Sequence, residues 1–457
     1  MMRIRDTLIV VLLAALLAPL AWWVWQSDRT ISPVGGSEQL LLASNRLPIE
    51  DVVRVRLERR DMSPLVFESE GDAWLQIEPF THPMQAYSIR QLIASATQLR
   101  MVRALDGSNI DEASLADLGL SPPEGIVTYT LVDGEQVTIE LGRRGLGGRA
   151  YARLGSDDGI VMVGQELHDR ALAMDPKEWR SRRIFEHAGV NSERVEIEFS
   201  EAKWQFHRER RRWSVLSPVA TRANDEAMTE FLAALSETQL SGFAADQPER
   251  LGEYGLQIPL ATLSVTTPRR RLVSGEVEME PTTERLYLGR PRTQGSNEYF
   301  AMIESRPVVF ILGPRELERL FATPELLIDL SPTGVLSEDV RTIRITGPEG
   351  DVVLERDGER WVTPSHPGTP VSADRVNNLL EFLTAGRATD LIARDFAHDM
   401  HVATFILEGF DGLPMDAVRV AREAPTAAWQ IDNGDQLQRI FPPTLDIPMT
   451  ISAFRAR

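Results

Sequence analysis

The sequence predicts an α+β fold: an N-terminal transmembrane helix followed by three tandem repeat domains, each an antiparallel sheet packed on one main amphipathic helix. Three observations carry this reading. First, one pattern is written three times. Trp213 follows Trp204 and Phe206 by nine and seven residues, and Met228, Phe231, Leu232 and Leu235 come fifteen, eighteen, nineteen and twenty-two after it. The same offsets from Trp74 meet Leu65, Phe67, Ile89, Leu92, Ile93 and Ala96, and from Trp361 they meet Val352, Leu354, Val376, Leu379, Leu380 and Leu383. Second, the residues before each tryptophan alternate apolar and polar, as a half-buried strand requires, whereas those after it recur at helical spacing. Third, residues 8–25 form one apolar run.

That run, LIVVLLAALLAPLAWWVW, is eighteen residues long, within the roughly 17–25 a spanning helix needs. Arg3 and Arg5 precede it and Trp22, Trp23 and Trp25 close it, a pattern that keeps the N-terminus cytoplasmic. A cleaved signal peptide is the rival, but its apolar core is usually about 7–15 residues and ends in a small-residue cleavage site. The expected layout is a cytoplasmic tip and anchor over 1–30, a linker over 31–48, and repeats over 49–188, 189–331 and 332–457. The bulk of the chain is expected outside the cytoplasmic membrane, on the periplasmic side. With tryptophans 139 and 148 residues apart, each copy is domain-sized rather than a solenoid unit of about 20–50 residues.

In the first copy Val53, Val55 and Leu57 begin the alternation, Leu65–Phe67 makes the next strand, Glu70–Asp72 the turn, and Trp74 the return. The stripe Ile89, Leu92, Ile93, Ala96 is the helix. Leu118-Gly119-Leu120 then leads through Pro122-Pro123 into further strands. The second copy replays this with Tyr254-Gly255-Leu256, Pro259 and Leu288-Gly289-Arg290. In the third the step has decayed to Asp399-Met400-His401, so that copy is expected to be degenerate. A proline follows each tryptophan (Pro79, Pro218, Pro364). The candidate key residues are structural: Trp74, Trp213 and Trp361 on the hairpins, Phe67, Phe206 and Leu354 on the strands before them, and Leu92, Phe231 and Leu379 on the helices.

The formal net charge is −18, which opposes nucleic acid or an anionic lipid surface as the main partner. There is no cysteine, which excludes disulfides, thiolate metal sites and a thiol nucleophile. His398 and His401 beside Asp395 and Asp399 could offer two metal nitrogens, but the H-E-x-x-H arrangement of a metallohydrolase is missing, and a solvated loop is the plainer reading. Gly142–Gly148 lies between strands and lacks the Gly-Lys-Ser/Thr of a phosphate loop, so it reads as a hairpin turn. Arg208–Arg212 and Arg269–Arg271 read as solvated turns, with a docking patch for an acidic partner as the alternative. No catalytic frame is visible, and no enzyme activity, cofactor, metal or nucleic acid is expected.

Trp213, Pro218, Phe231-Leu232, Tyr254-Gly255-Leu256, Pro259, Leu288-Gly289 and Tyr299, with Trp74, Pro79, Leu92, Gly119-Leu120 and Leu141-Gly142, give the chain a family likeness. It resembles the bacterial domain-of-unknown-function family 4340, well over residues 50 to 330 and loosely in the third copy. The resemblance implies a membrane-anchored envelope protein encoded beside gliding-motility-type ABC transporters, and supplies no catalytic residue. The expected function is that of a non-catalytic accessory or binding protein held at the inner membrane by residues 8–25, with a transporter permease or other envelope protein as partner. The alternatives are an envelope hydrolase and a glycan-binding or structural surface protein.

Overall fold

The computed structural model describes residues 39–42, 46–105, 111–155, 159–273, 276–393 and 400–456. The expected anchor over 8–25 lies outside them. So do His398, Asp395 and Asp399. The α+β expectation is corrected. The described residues are 43% strand and 20% helix and form three large antiparallel sheets, and no helix among them is long and apolar enough to cross a membrane. The physical reason is that each copy writes eight or more strands for one helix of any length. Several of those strands are only two or three residues long, too short for alternation to register.

The chain divides into two compact units at Ser181–Arg182. The first holds one sheet, built from β1 (Gln39–Leu40), β2 (Val52–Arg59), β3 (Leu65–Glu70), β4 (Ala73–Glu78), β5 (His82–Met84), β6 (Arg100–Leu105), β7 (Gly125–Leu131), β8 (Gln136–Arg144), β9 (Arg149–Leu154) and β10 (Ile160–Gly164), with α1 (Ala86–Thr97). The second unit holds two sheets. One comprises β11 (Arg194–Phe199), β12 (Lys203–Glu209), β13 (Arg212–Ser217), β14 (Thr221–Arg222), β15 (Gly242–Asp246), β16 (Ala261–Val273), β17 (Glu276–Pro291), β18 (Tyr299–Ile303) and β19 (Val308–Leu312), with α2 (Asp225–Glu237). The other comprises β20 (Thr342–Gly347), β21 (Gly350–Asp357), β22 (Arg360–Val362), β23 (Asp390–Ile392), β24 (His401–Glu408), β25 (Pro414–Ala421), β26 (Trp429–Asp432) and β27 (Gln438–Phe441), with α3 (Ala373–Ala385).

One strand order serves all three. It runs β5-β4-β3-β2-β7-β8-β9-β10-β6 in the first, β14-β13-β12-β11-β16-β17-β18-β19-β15 in the second and β22-β21-β20-β24-β25-β26-β27-β23 in the third. The third lacks only the outermost strand, and β1 adds a tenth to the first. In every copy the helix links a strand at one end of this order to the strand at its other end. Its apolar stripe packs on the sheet: Ile89, Leu92, Ile93 and Ala96 are fully buried, and the Tyr129 hydroxyl on central strand β7 donates to the Leu92 carbonyl at 3.5 Å.

Each copy closes on itself in the same way. The segment before the helix pairs with the exit segment: Gln85 N–H donates to Trp179 O, Asn224 N–H to Leu327 O and Ser372 N–H to Phe454 O, each at 2.8 Å. The sheet faces away from the helices are laced with ion pairs, such as Arg153–Glu140 at 2.6 Å, Arg285–Glu304 at 3.2 Å and Arg341–Glu355 at 2.8 Å. Such pairs add little stability individually, but they mark the solvated side of a one-faced sheet.

Within the second unit an arginine ties the two sheets together. Arg439 on β27 is fully buried; its Nε donates to the Asp329 carbonyl at 3.1 Å and its Nη1 to Asp435 at 3.0 Å. Thr221 of β14 donates to the same Asp435 carboxylate at 2.6 Å. Beside it, Arg222 pairs with Asp329 at 3.0 Å and with Asp416 at 3.6 Å.

Candidate binding surface

The nine structural residues singled out from sequence fall at equivalent places. Trp74, Trp213 and Trp361 lie on β4, β13 and β22. Phe67, Phe206 and Leu354 lie on β3, β12 and β21, and Leu92, Phe231 and Leu379 on α1, α2 and α3; all are buried. The Gly-Leu step also has a structural use. A Cβ on Gly142 would sit 2.5 Å from the Leu118 carbonyl oxygen, and one on Gly255 2.6 Å from the Arg290 nitrogen. The two glycine motifs of the first and second copies are thus where two backbones pass in contact. Gly142–Arg144 ends β8, and Gly145–Gly148 turns into β9. His401 opens β24, its Nε2 2.9 Å from the Thr404 hydroxyl. Among the described residues no cluster of three or more His, Asp or Glu is placed to hold a metal.

The copies differ at the turn before each tryptophan. The first turn residue has positive φ in all three: Gly71 at 64°, Gly358 at 63° and, in the second copy, Arg210 at 57°. A side chain in the left-handed region costs about 1–2 kcal/mol relative to the ordinary helical region. The second copy thus bears a local cost that its siblings avoid with glycine, and gains a guanidinium at the tip.

Opposite this turn stands a second feature found only in that copy. β11 pairs with β16 as far as Thr266, and β18 pairs with β17 from Leu286 onward, yet β16 and β17 remain paired out to Val273–Glu276. Seven ladder pairs, Thr267–Thr282 to Val273–Glu276, therefore run beyond the sheet as a two-stranded arm about 24 Å long at roughly 3.4 Å per residue. Its root is pinned. Ser192 and Thr267 share a hydroxyl hydrogen bond at 2.7 Å. The buried Glu284 accepts from the Glu186 and His187 N–H groups at 2.9 Å each, and from Arg306 at 3.3 Å.

Between arm and turn lies a groove of about 650 Å³. Arg208 and Arg210 form one wall and Pro268, Arg270 and Met279 the other, with Glu193 as the one acidic residue among the described lining. Arg208 donates to the Val190 carbonyl at 2.6 Å. Arg210 and Arg270 have no carboxylate within ion-pair distance among the described residues. On the turn's other side a larger concavity of about 1000 Å³ is lined by Arg211, Arg212, Trp213 and the Ser331–Leu336 connector. Arg212 is engaged there by the Gly334 carbonyl.

Sequence reading treated the two arginine clusters as separate turns, and the fold brings them to one groove. The available signal was that both clusters occur in the same copy and that neither sibling has a counterpart.

A family profile described as Domain of unknown function (DUF4340) matches residues 74–214 and 213–402, more than half of the chain. The chain belongs to this family. The two DUF4340 matches open at Trp74 and Trp213, one repeat apart, and the second runs on past Trp361. No curated protein matches the sequence. Among solved structures, DNA polymerase III β sliding clamps are similar at a low level. The clamp of Bartonella birtlesii LL-WM9 has 10% identity and a TM-score of 0.18, over 91% of this chain and 97% of that one. That of Borrelia burgdorferi has 6% and 0.14 over 90% and 94%, and that of Pseudomonas aeruginosa 8% and 0.15 over 89% and 94%. Scores this low support no inference about this DUF4340 chain.

Proposed function

We propose that this DUF4340 chain is a membrane-tethered, non-catalytic binding protein of the cell envelope that serves an ABC-type transport system. The observation that carries the binding role is the exchange of glycine for arginine at the second copy's turn, which faces Arg270, also without a carboxylate partner among the described residues, across a groove. Backbone strain retained at one of three equivalent positions points to use. The apolar run 8–25 after Arg3 and Arg5 supports the tether. A tether raises the effective concentration of the repeats near a membrane partner, commonly to about millimolar for short flexible linkers, so weak polar contacts suffice.

The test is crosslinking in intact cells, followed by purification of the full chain and of a residue 31–457 form, with mass spectrometry of what accompanies each. A transporter subunit should be enriched with the full chain over an unrelated anchored protein and lost from the truncated form. Equal recovery with the anchored control would remove the transport role. Protease added outside spheroplasts should digest everything beyond about residue 30 if the topology is right; protection of the bulk would place the repeats on the wrong side.

A further inference from the structure

We infer that the groove between the β12–β13 turn and the β16–β17 arm is a docking site for an extended acidic peptide segment of a partner protein. The inference deepens the binding role above and rests on it only for the partner's identity. In a chain of net charge −18, the groove gathers Arg208, Arg210 and Arg270 against Glu193 alone among the described residues. Arg208 spends one N–H on the Val190 carbonyl. Arg210 and Arg270 spend none on a carboxylate among the described residues, so two guanidinium forks stand ready for carboxylates. Guanidinium suits this use because its planar donors match a carboxylate in paired fashion.

Shape narrows the class further. The arm is a two-stranded ribbon whose strands beyond Thr266 have no third strand beside them among the described residues, so an extended chain can lie along it. Met279, 58% exposed on the arm, and Pro268 place apolar surface next to the arginines. A segment alternating acidic and apolar residues satisfies both walls, since successive side chains of an extended chain point to opposite sides. The first and third copies, with glycine at the turn and no arm, offer neither wall.

The full-length protein in mild detergent is titrated by calorimetry with an eight-residue peptide alternating glutamate and valine, and with its glutamine counterpart. Vesicles of phosphatidylglycerol and inorganic phosphate are titrated in parallel. The glutamate peptide should bind, more weakly as salt is raised to about 0.15 M, and the glutamine peptide should not. Arg210→Gly combined with Arg270→Ser should weaken binding about tenfold, the loss of two exposed charge contacts. Arg210→Gly restores the residue its siblings use, so it should fold and melt no lower than the parent. Arg250→Ser, removing an arginine paired with Glu253 at 3.5 Å elsewhere in the same copy, should leave binding unchanged. Equal binding of the glutamine peptide, no binding of the glutamate peptide, or indifference to the double substitution would overturn the site. Vesicle or phosphate binding that the double substitution abolishes, without peptide binding, would replace the peptide by an anionic headgroup.

Discussion

At the scale of single residues, local cost and local fit explain most of what distinguishes the copies. Arg210→Gly alone should raise the stability of the second unit by up to about 1 kcal/mol, because the left-handed turn then bears no side chain; denaturant melts check this. Gly289→Ala should act in the opposite sense. Its Cβ would collide with the Tyr254 carbonyl oxygen, and forced overpacking of this kind costs about 1–3 kcal/mol. His168 supplies a pH dependence. It is fully buried on the first unit, with Nε2 2.9 Å from the Tyr151 carbonyl and Nδ1 without a partner. Burial holds its pKa below the ordinary 6.5, against the Tyr151 hydrogen bond that favours the charged form. The unfolded state therefore binds the proton more readily, and the first unit should lose stability as pH falls below about 6.5. His168→Gln should flatten that slope in urea midpoints measured from neutral pH to about pH 5.

At the scale of elements, the tryptophan hairpin and its helix form the repeated unit, and this much was legible from one sequence. Trp213→Ala should cost about 3–5 kcal/mol through the cavity it leaves beneath α2, measured by chemical denaturation. The helices were readable because Ile89, Leu92, Ile93 and Ala96, and their counterparts, recur at helical spacing over about two turns. Short strands were not. β5 and β23 have three residues and β14 two, no more than one and a half cycles of a two-residue alternation, so the sheets came out wider than expected and the fold more strand-rich. The arm was missed for another reason: Arg269–Arg271 is a run of three charges that reads as a turn, although Glu276-Val277-Glu278-Met279-Glu280 opposite alternates as a strand does, and the register of β16 on β17 shows both to be strand. Likewise, that Arg210 and Arg270 face one groove follows from pairing across sixty residues, which composition does not encode.

At the scale of the whole molecule, the second unit is held as one body by a desolvated arginine. Burial, with Arg222 nearby, lowers the Arg439 pKa, yet its donors meet Asp435, Asn433, the Asp329 and Leu437 carbonyls and Thr221. Removing one partner of such a set costs about 3–5 kcal/mol because the others stay buried and unpaired. Arg439→Ala should therefore split the second unit's calorimetric unfolding into two transitions, one per sheet. Three like-built copies carry one specialised surface, which we propose docks a transport partner. The most direct measurement places a photo-crosslinking residue five residues before each tryptophan, at Ser69, Arg208 and Arg356, in cells; of these only Arg208 lines the groove. A crosslink to a transporter subunit from position 208, with none from 69 or 356, is the predicted result; equal crosslinking from all three, or none from 208, would contradict it.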